Sequence, residues 1–147
     1  MKRTQAQISY NMSRIRGKGS SIEKMLMHEL WSRGLRYRKN VKGIPGSPDI
    51  VYLHPKVAVF CDGEFWHGYD WELRKDRIKS NKEFWFRKIE RNMQRDREVN
   101  RKLAQDGWII LRFWENDIRK YLKECADTVE LVVKYLHEEP EERNYWP

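Results

Sequence analysis

The chain has 147 residues, a formal net charge of +8, and 35% charged and 13% aromatic residues. That length suits one domain with a sizeable core. No apolar run approaches the ~20 residues of a membrane helix, and the start Met1-Lys2-Arg3-Thr4-Gln5 lacks an apolar signal segment, so a soluble intracellular protein is expected and Cys61 and Cys125, without CxxC or metal-ligand spacing, read as reduced packing residues.

The charge is uneven. Residues 1–40 hold ten Lys and Arg, among them Arg14, Arg16 and Lys18, against Glu23 and Glu29, while the remainder balances 20 against 20. A basic arm beside a neutral body is the electrostatic footprint of a phosphate-rich partner. An anionic membrane surface fits less well, because the arm has no apolar face. Residues 1–19 therefore read as a basic arm and 20–147 as a single domain.

In chain order, Ser20-Ser21-Ile22-Glu23 is a capping box, with Ser20 at the N-cap and Glu23 at N3. It opens a helix with Ile22, Met25, Leu26 and Leu30 on one face, ending at Gly34. Residues 35–41 predict a strand, and 43–48 a Gly/Pro loop. Strands at 49–53 and 57–61 are joined by a hairpin-length connection. Residues 62–81 are polar and irregular. A helix over 82–104 buries Phe86, Ile89, Met93 and Leu103. Residues 108–113 form a near-continuous apolar strand, the pattern of a sheet centre, and helices follow at 116–122 and 125–136. This order predicts an α/β fold, a mixed β-sheet flanked by helices.

Asp49 begins one strand and Asp62 ends the next, so an antiparallel hairpin puts both carboxylates at the same end. Hydrolysis of a phosphodiester needs a divalent cation to neutralise charge and activate water, together with a group that moves a proton. Mg²⁺ takes oxygen ligands, commonly one or two carboxylates plus water and substrate phosphate. Two aspartates at strand ends also arise from turn preference alone. An unperturbed histidine changes charge near neutrality, so His67 suits proton transfer, although one histidine beside two aromatics also fits simple packing. Phe65 and Trp66 suit base stacking or wedging if exposed and core packing if buried. Glu23 is explained by the capping box, yet the first helix can aim it at the hairpin end. Asn92 and Asp96, at i, i+4 beside the apolar stripe of the long helix, need partners and can orient site groups or phosphate.

These residues stand in an ordered set: Asn11-Met12, Arg14-Ile15, Ile22-Glu23-Lys24, Pro45-Gly46-Ser47-Pro48-Asp49 and Gly63-Glu64-Phe65-Trp66-His67. It continues with Glu83-Phe84-Trp85, Lys88-Ile89, Asn92, Arg95-Asp96-Arg97, Gly107-Trp108 and Trp114-Glu115. The set resembles the very-short-patch mismatch repair endonucleases, relatives of the PD-(D/E)xK superfamily. The resemblance implies a restriction-endonuclease-like core and a Mg²⁺-dependent nick in double-stranded DNA 5′ of the thymine at a T:G mismatch. It also implies a cytoplasmic, nucleoid-associated location in a prokaryote. By the same resemblance Asp49 holds metal, Cys61 stands where a threonine gives a backbone oxygen to metal, His67 transfers a proton and Glu23 completes the site. Phe65, Trp66 and Trp85 correspond to aromatics that wedge into DNA, and Arg14, Arg16 and Lys18 lie in the arm that clasps it.

The chain leaves the pattern twice. The structural zinc of the family, on three cysteines and a histidine, meets Glu64, Tyr69, Trp71 and Asn116 here, so no zinc is expected and packing by Tyr69 and Trp71 is expected instead. Asp62 replaces a second histidine and adds a carboxylate, a candidate third metal ligand beside Asp49 and Cys61. Three alternatives stay open: a restriction- or homing-type nuclease on matched DNA, a non-catalytic DNA-binding module, and an RNA binder that stacks bases on Trp66 and Trp85.

Overall fold

The computed structural model describes residues 21–39 and 41–135. The basic arm, including Arg14, Arg16 and Lys18, lies outside the described residues, as does Ser20. The elements run α1 (Ser21–Ser32), β1 (Ile50–Leu53), β2 (Lys56–Asp62), α2 (Glu64–His67), α3 (Trp71–Arg74), a 3₁₀ turn (Lys75–Arg77), α4 (Lys82–Gln105), β3 (Ile109–Trp114), α5 (Glu115–Lys120) and α6 (Leu122–Tyr135).

The sheet has the order β1-β2-β3, with β1 antiparallel and β3 parallel to β2. Its two faces follow from the period-two alternation of strand side chains. Val57 and Val59 of β2, with Ile50 and Tyr52 of β1, face a core built from Ile22, Leu26 and Leu30 of α1, Ile118 of α5 and Val129 of α6. Ala58 and Phe60 face the other way, onto Leu103 and Val99 of α4. This alternation sends Asp62 toward α4 and packs the side chain of Cys61 against the α1 side. Arg33 ties the end of α1 to α6 through Glu29, Asp127 and Glu130.

Two sequence expectations are corrected. Among the described residues of 35–41 there is only an isolated bridge, Arg38 to Val51, and no strand. The segment has alternating apolar residues but only the short β1 to pair with. The apolar strand near 109 is not the sheet centre: β2 is central and β3 lies at an edge, all its residues partly exposed. Burial on one face by α4 and on the other by the α1 core explains its apolar run without a second strand partner. The helix ends otherwise fall close to expectation. The irregular segment after Asp62 resolves into the short turns α2 and α3 rather than loop throughout.

The loop into β1 is held close to α4. Gly46 has φ +77°, and a Cβ there would meet Val99 Cγ1 at 2.5 Å and the Phe60 ring at 3.2 Å. Only glycine lets the backbone approach this closely with that dihedral, and the approach sets Asp49 beside the end of β2.

Candidate active site

At the carboxyl end of β2 lies a cavity of about 290 Å³, lined by Glu23 from α1, Asp49, Cys61 and Asp62 from the hairpin, His67 from α2, and Asn92, Arg95 and Asp96 from α4. The sequence-predicted residues Glu23, Asp49, Cys61, Asp62 and His67 thus meet in one place.

Asp49 precedes β1. Its amide donates to Val59 O at 3.0 Å, and its carboxylate Oδ2 accepts the Cys61 amide at 2.7 Å. Within a strand the N–H and C=O of one residue share an edge, so the Cys61 carbonyl lies on the edge that Asp49 occupies. The Cys61 thiol packs against the α1 side of the sheet. Burial pushes it far above its ordinary value, and the nearby Asp49, Glu23 and Asp62 add to the effect. The cavity lining carries Glu23, Asp49, Asp62 and Asp96 together with Arg95 and Arg112. Carboxylates and a main-chain oxygen form the hard donor set that fits Mg²⁺ or Mn²⁺ rather than zinc.

His67 is placed by the turn that follows it. Gly68, at φ +71°, packs so tightly on Met93 that any side chain would collide. The imidazole Nδ1 donates to Asp96 Oδ2 at 2.6 Å, and Nε2 lies 3.7 Å from Asp62 Oδ1. Burial pulls the imidazole pKa down, but the Asp96 hydrogen bond and the charges of Asp62 and Asp96 outweigh it and leave the ring above its ordinary value. Burial of Asp62, which is 5% exposed, raises its carboxyl, an effect that His67 and Arg112 partly offset. Asp62, His67 and Asp96 offer ligand atoms within 4.8 Å of one another, the spacing of a possible cation site.

Helix α4 presents a polar stripe at i, i+4, i+8, and each member holds one part of the site. Asn92 Nδ2 donates to Trp66 O at 3.2 Å, Asp96 accepts from His67, and Asn100 Oδ1 accepts Arg112 Nε at 2.8 Å. The sequence pattern marks Asn92 and Asp96 but does not single out Asn100 or Arg112. The available signal is Arg112 itself, a charge inside the apolar run Ile109-Ile110-Leu111-Arg112-Phe113-Trp114; a charge in such a strand needs a buried partner.

The three aromatics expected at DNA pack on one another. Phe65, Trp66 and Trp85 form an edge-to-face triangle with centroids 5.5–6.0 Å apart. Trp66 is 5% and Trp85 3% exposed, Phe65 is half-buried, and the neighbouring Phe84 is the open member at 43%. Lys88 sits over Trp66 at 4.9 Å. Where the resemblance placed zinc ligands, the Asn116 amide donates to Glu64 Oε1 at 2.6 Å, Tyr69 meets Trp114 edge-on and Trp71 meets Phe86.

Beside the cavity, and sharing Asn92 and Arg95 with it, runs an open groove of about 770 Å³ along α4 that carries Lys82, Arg87, Lys88, Arg91 and Arg95. Arg87, Arg91 and Arg95 recur every four residues, so they form one exposed stripe.

A mixed sheet flanked by helices, with carboxylates and a histidine gathered at the end of its central strand, is the architecture of a restriction-endonuclease-like nuclease. Comparison with known proteins narrows this class. The family model described as DNA mismatch endonuclease Vsr matches residues 2–73. Type II nicking enzyme V.NmeDIP of Neisseria meningitidis serogroup C is 52% identical over 119 residues, covering 81% of this chain and 80% of the relative. Type II nicking enzyme V.HpaIIP of Haemophilus parainfluenzae is 53% identical over 105 residues, 71% of this chain and 74% of the relative. DNA mismatch endonuclease Vsr of Escherichia coli (strain K12) is 36% identical over 111 residues, 76% and 70% respectively. The chain belongs to the Vsr family and is a DNA endonuclease.

Proposed function

We propose that this endonuclease uses Mg²⁺ to nick one strand of duplex DNA on the 5′ side of the thymine in a T:G mismatch. The observation that carries the chemistry is the convergence of Asp49, the Cys61 main chain and an Asp96-held His67 on one cavity. Bound Mg²⁺ would neutralise charge on the scissile phosphate and lower the pKa of a water. Asp49 and the Cys61 carbonyl would hold it, with Glu23 beside them in the wall. Asp96 fixes the imidazole so that Nδ1 carries the proton and Nε2 faces the cavity. His67 Nε2 then moves the proton that the displacement requires. The oxygen-rich donor set supports magnesium, and the positions that carry zinc in the family offer no tetrahedral N/S set here.

Duplex DNA follows the Arg87–Arg91–Arg95 stripe, which ends at the cavity. Replacing Arg87 and Arg91 together by alanine is expected to weaken binding to all sequences alike. It should also reduce the slope of log affinity against log salt by about 2, roughly one per lost phosphate contact. A fluorescence-anisotropy salt titration reads this, and an unchanged slope would remove the stripe from the DNA path.

The relatives named nicking enzymes support a single-strand cut. A second reading, cleavage of matched DNA, draws on the burial of Trp66 and Trp85, because a wedge at a mismatch must come from exposed rings such as Phe84 or from rearrangement. Paired duplexes that differ only in T:G against T:A decide between the readings. The mismatch reading expects a nick in the T:G duplex alone or favoured by about 10–100-fold, the usual cost of one wrong pair, and no product in EDTA. Equal cleavage of both would favour matched DNA. A nucleoid-associated cytoplasmic location follows from the DNA substrate as part of the same proposal.

A further inference from the structure

Asp62, His67 and Asp96 present the outline of a cation site, and a cationic side chain already sits against its carboxylates. Arg112 Nη1 lies 3.1 Å from Asp62 Oδ2, 3.3 Å from Asp62 Oδ1 and 3.7 Å from Asp96 Oδ1. The guanidinium is held in place from its other sides: Nε donates to Asn100 at 2.8 Å, and the plane rests 4.0 Å above the centre of the Phe60 ring. Strand register explains the placement, since Arg112 pairs with Phe60, two residues before Asp62 on the same face of β2. Arg112 is 19% exposed and Asp62 6% at their side chains, so the pair is poorly screened. A divalent ion entering between Asp62 and Asp96 would stand within a few ångströms of a fixed positive charge and would have to displace it. Asp49 Oδ2, for its part, accepts the Cys61 amide at 2.7 Å.

We propose that Arg112 is a built-in cation that neutralises Asp62 and Asp96 in place of a second metal ion, leaving the Asp49 end of the cavity as the single divalent-ion position. Asp62 is then a positioning carboxylate for Arg112 and His67 rather than a metal ligand. The inference rests on the nuclease reading above, since it presumes that Asp49 holds an ion.

The test counts Mn²⁺ ions bound per chain by electron paramagnetic resonance titration, with thermal unfolding as a check on folding. The wild type is expected to bind one ion, lost or weakened at least ~10-fold in Asp49→Ala and retained in Asp62→Asn. Arg112→Met should expose the Asp62–His67–Asp96 set and raise the count to two, with kcat at saturating DNA down at least ~10-fold and KM little changed. Arg112→Lys should keep one ion. Two ions in the wild type, one of them lost in Asp62→Asn, would overturn the proposal, as would a single ion and unchanged kcat in a folded Arg112→Met. If Arg112→Met does not fold, the wild-type and Asp62→Asn counts still decide. A wild-type ion unaffected by Asp49→Ala would instead count against the nuclease reading from which the inference starts.

Discussion

Asp49→Ala is expected to lower the DNA-nicking rate by about 10³-fold or more while leaving DNA affinity within a few-fold of the wild type. The size follows from what the carboxylate supports. A metal held at a phosphoryl oxygen contributes several kcal/mol of transition-state stabilisation, and each ~1.4 kcal/mol is a factor of ten in rate. On the DNA path proposed above, affinity is set by the cationic stripe of α4, so binding should survive. The fold should survive too, because Asp49 lies outside the apolar clusters of the sheet. A plasmid-nicking assay with Mg²⁺, run beside anisotropy with the same DNA, separates the two readouts. Wild-type nicking by the alanine variant would remove Asp49 from the site.

The second large effect is expected at the His67–Asp96 pair. His67→Ala should cost about 10²–10⁴-fold in kcat, the ordinary range for loss of a general acid or base. Asp96→Asn should cost less, because the imidazole remains but loses the carboxylate that fixes its tautomer at 2.6 Å. In the double variant the two losses should not multiply, since both act through one ring. Single-turnover nicking of a pre-bound duplex measures this. Independent, multiplicative losses would mean that Asp96 acts on something other than His67.

Much of this site was legible in the residues because the signals were local. Asp49 and Asp62 flank a hairpin whose antiparallel pairing brings strand ends together, and Ile50↔Val59 pairing does so here. Asn92 and Asp96 stood out by helical spacing beside an apolar stripe. The strand expected over 35–41 failed because alternation alone does not supply a partner, and among the described residues the segment meets β1 through one bridge, Arg38 to Val51. The central place expected for the strand near 109 failed because an apolar run reports burial on two faces and says nothing about which edges are paired.

The sequence by itself determined the class of fold, the basic character, the candidate carboxylates and histidine, and the family. These depend on residue type, period and order along the chain. Only the tertiary structure decided what those groups do to one another. That Asp62 faces Arg112 rather than an open ligand position depends on the parallel register of β2 with β3, a contact across 50 residues. That Trp66 and Trp85 are buried depends on α2 folding back against α4. Both are long-range outcomes of packing, where charge pairing and burial are settled by neighbours distant in sequence.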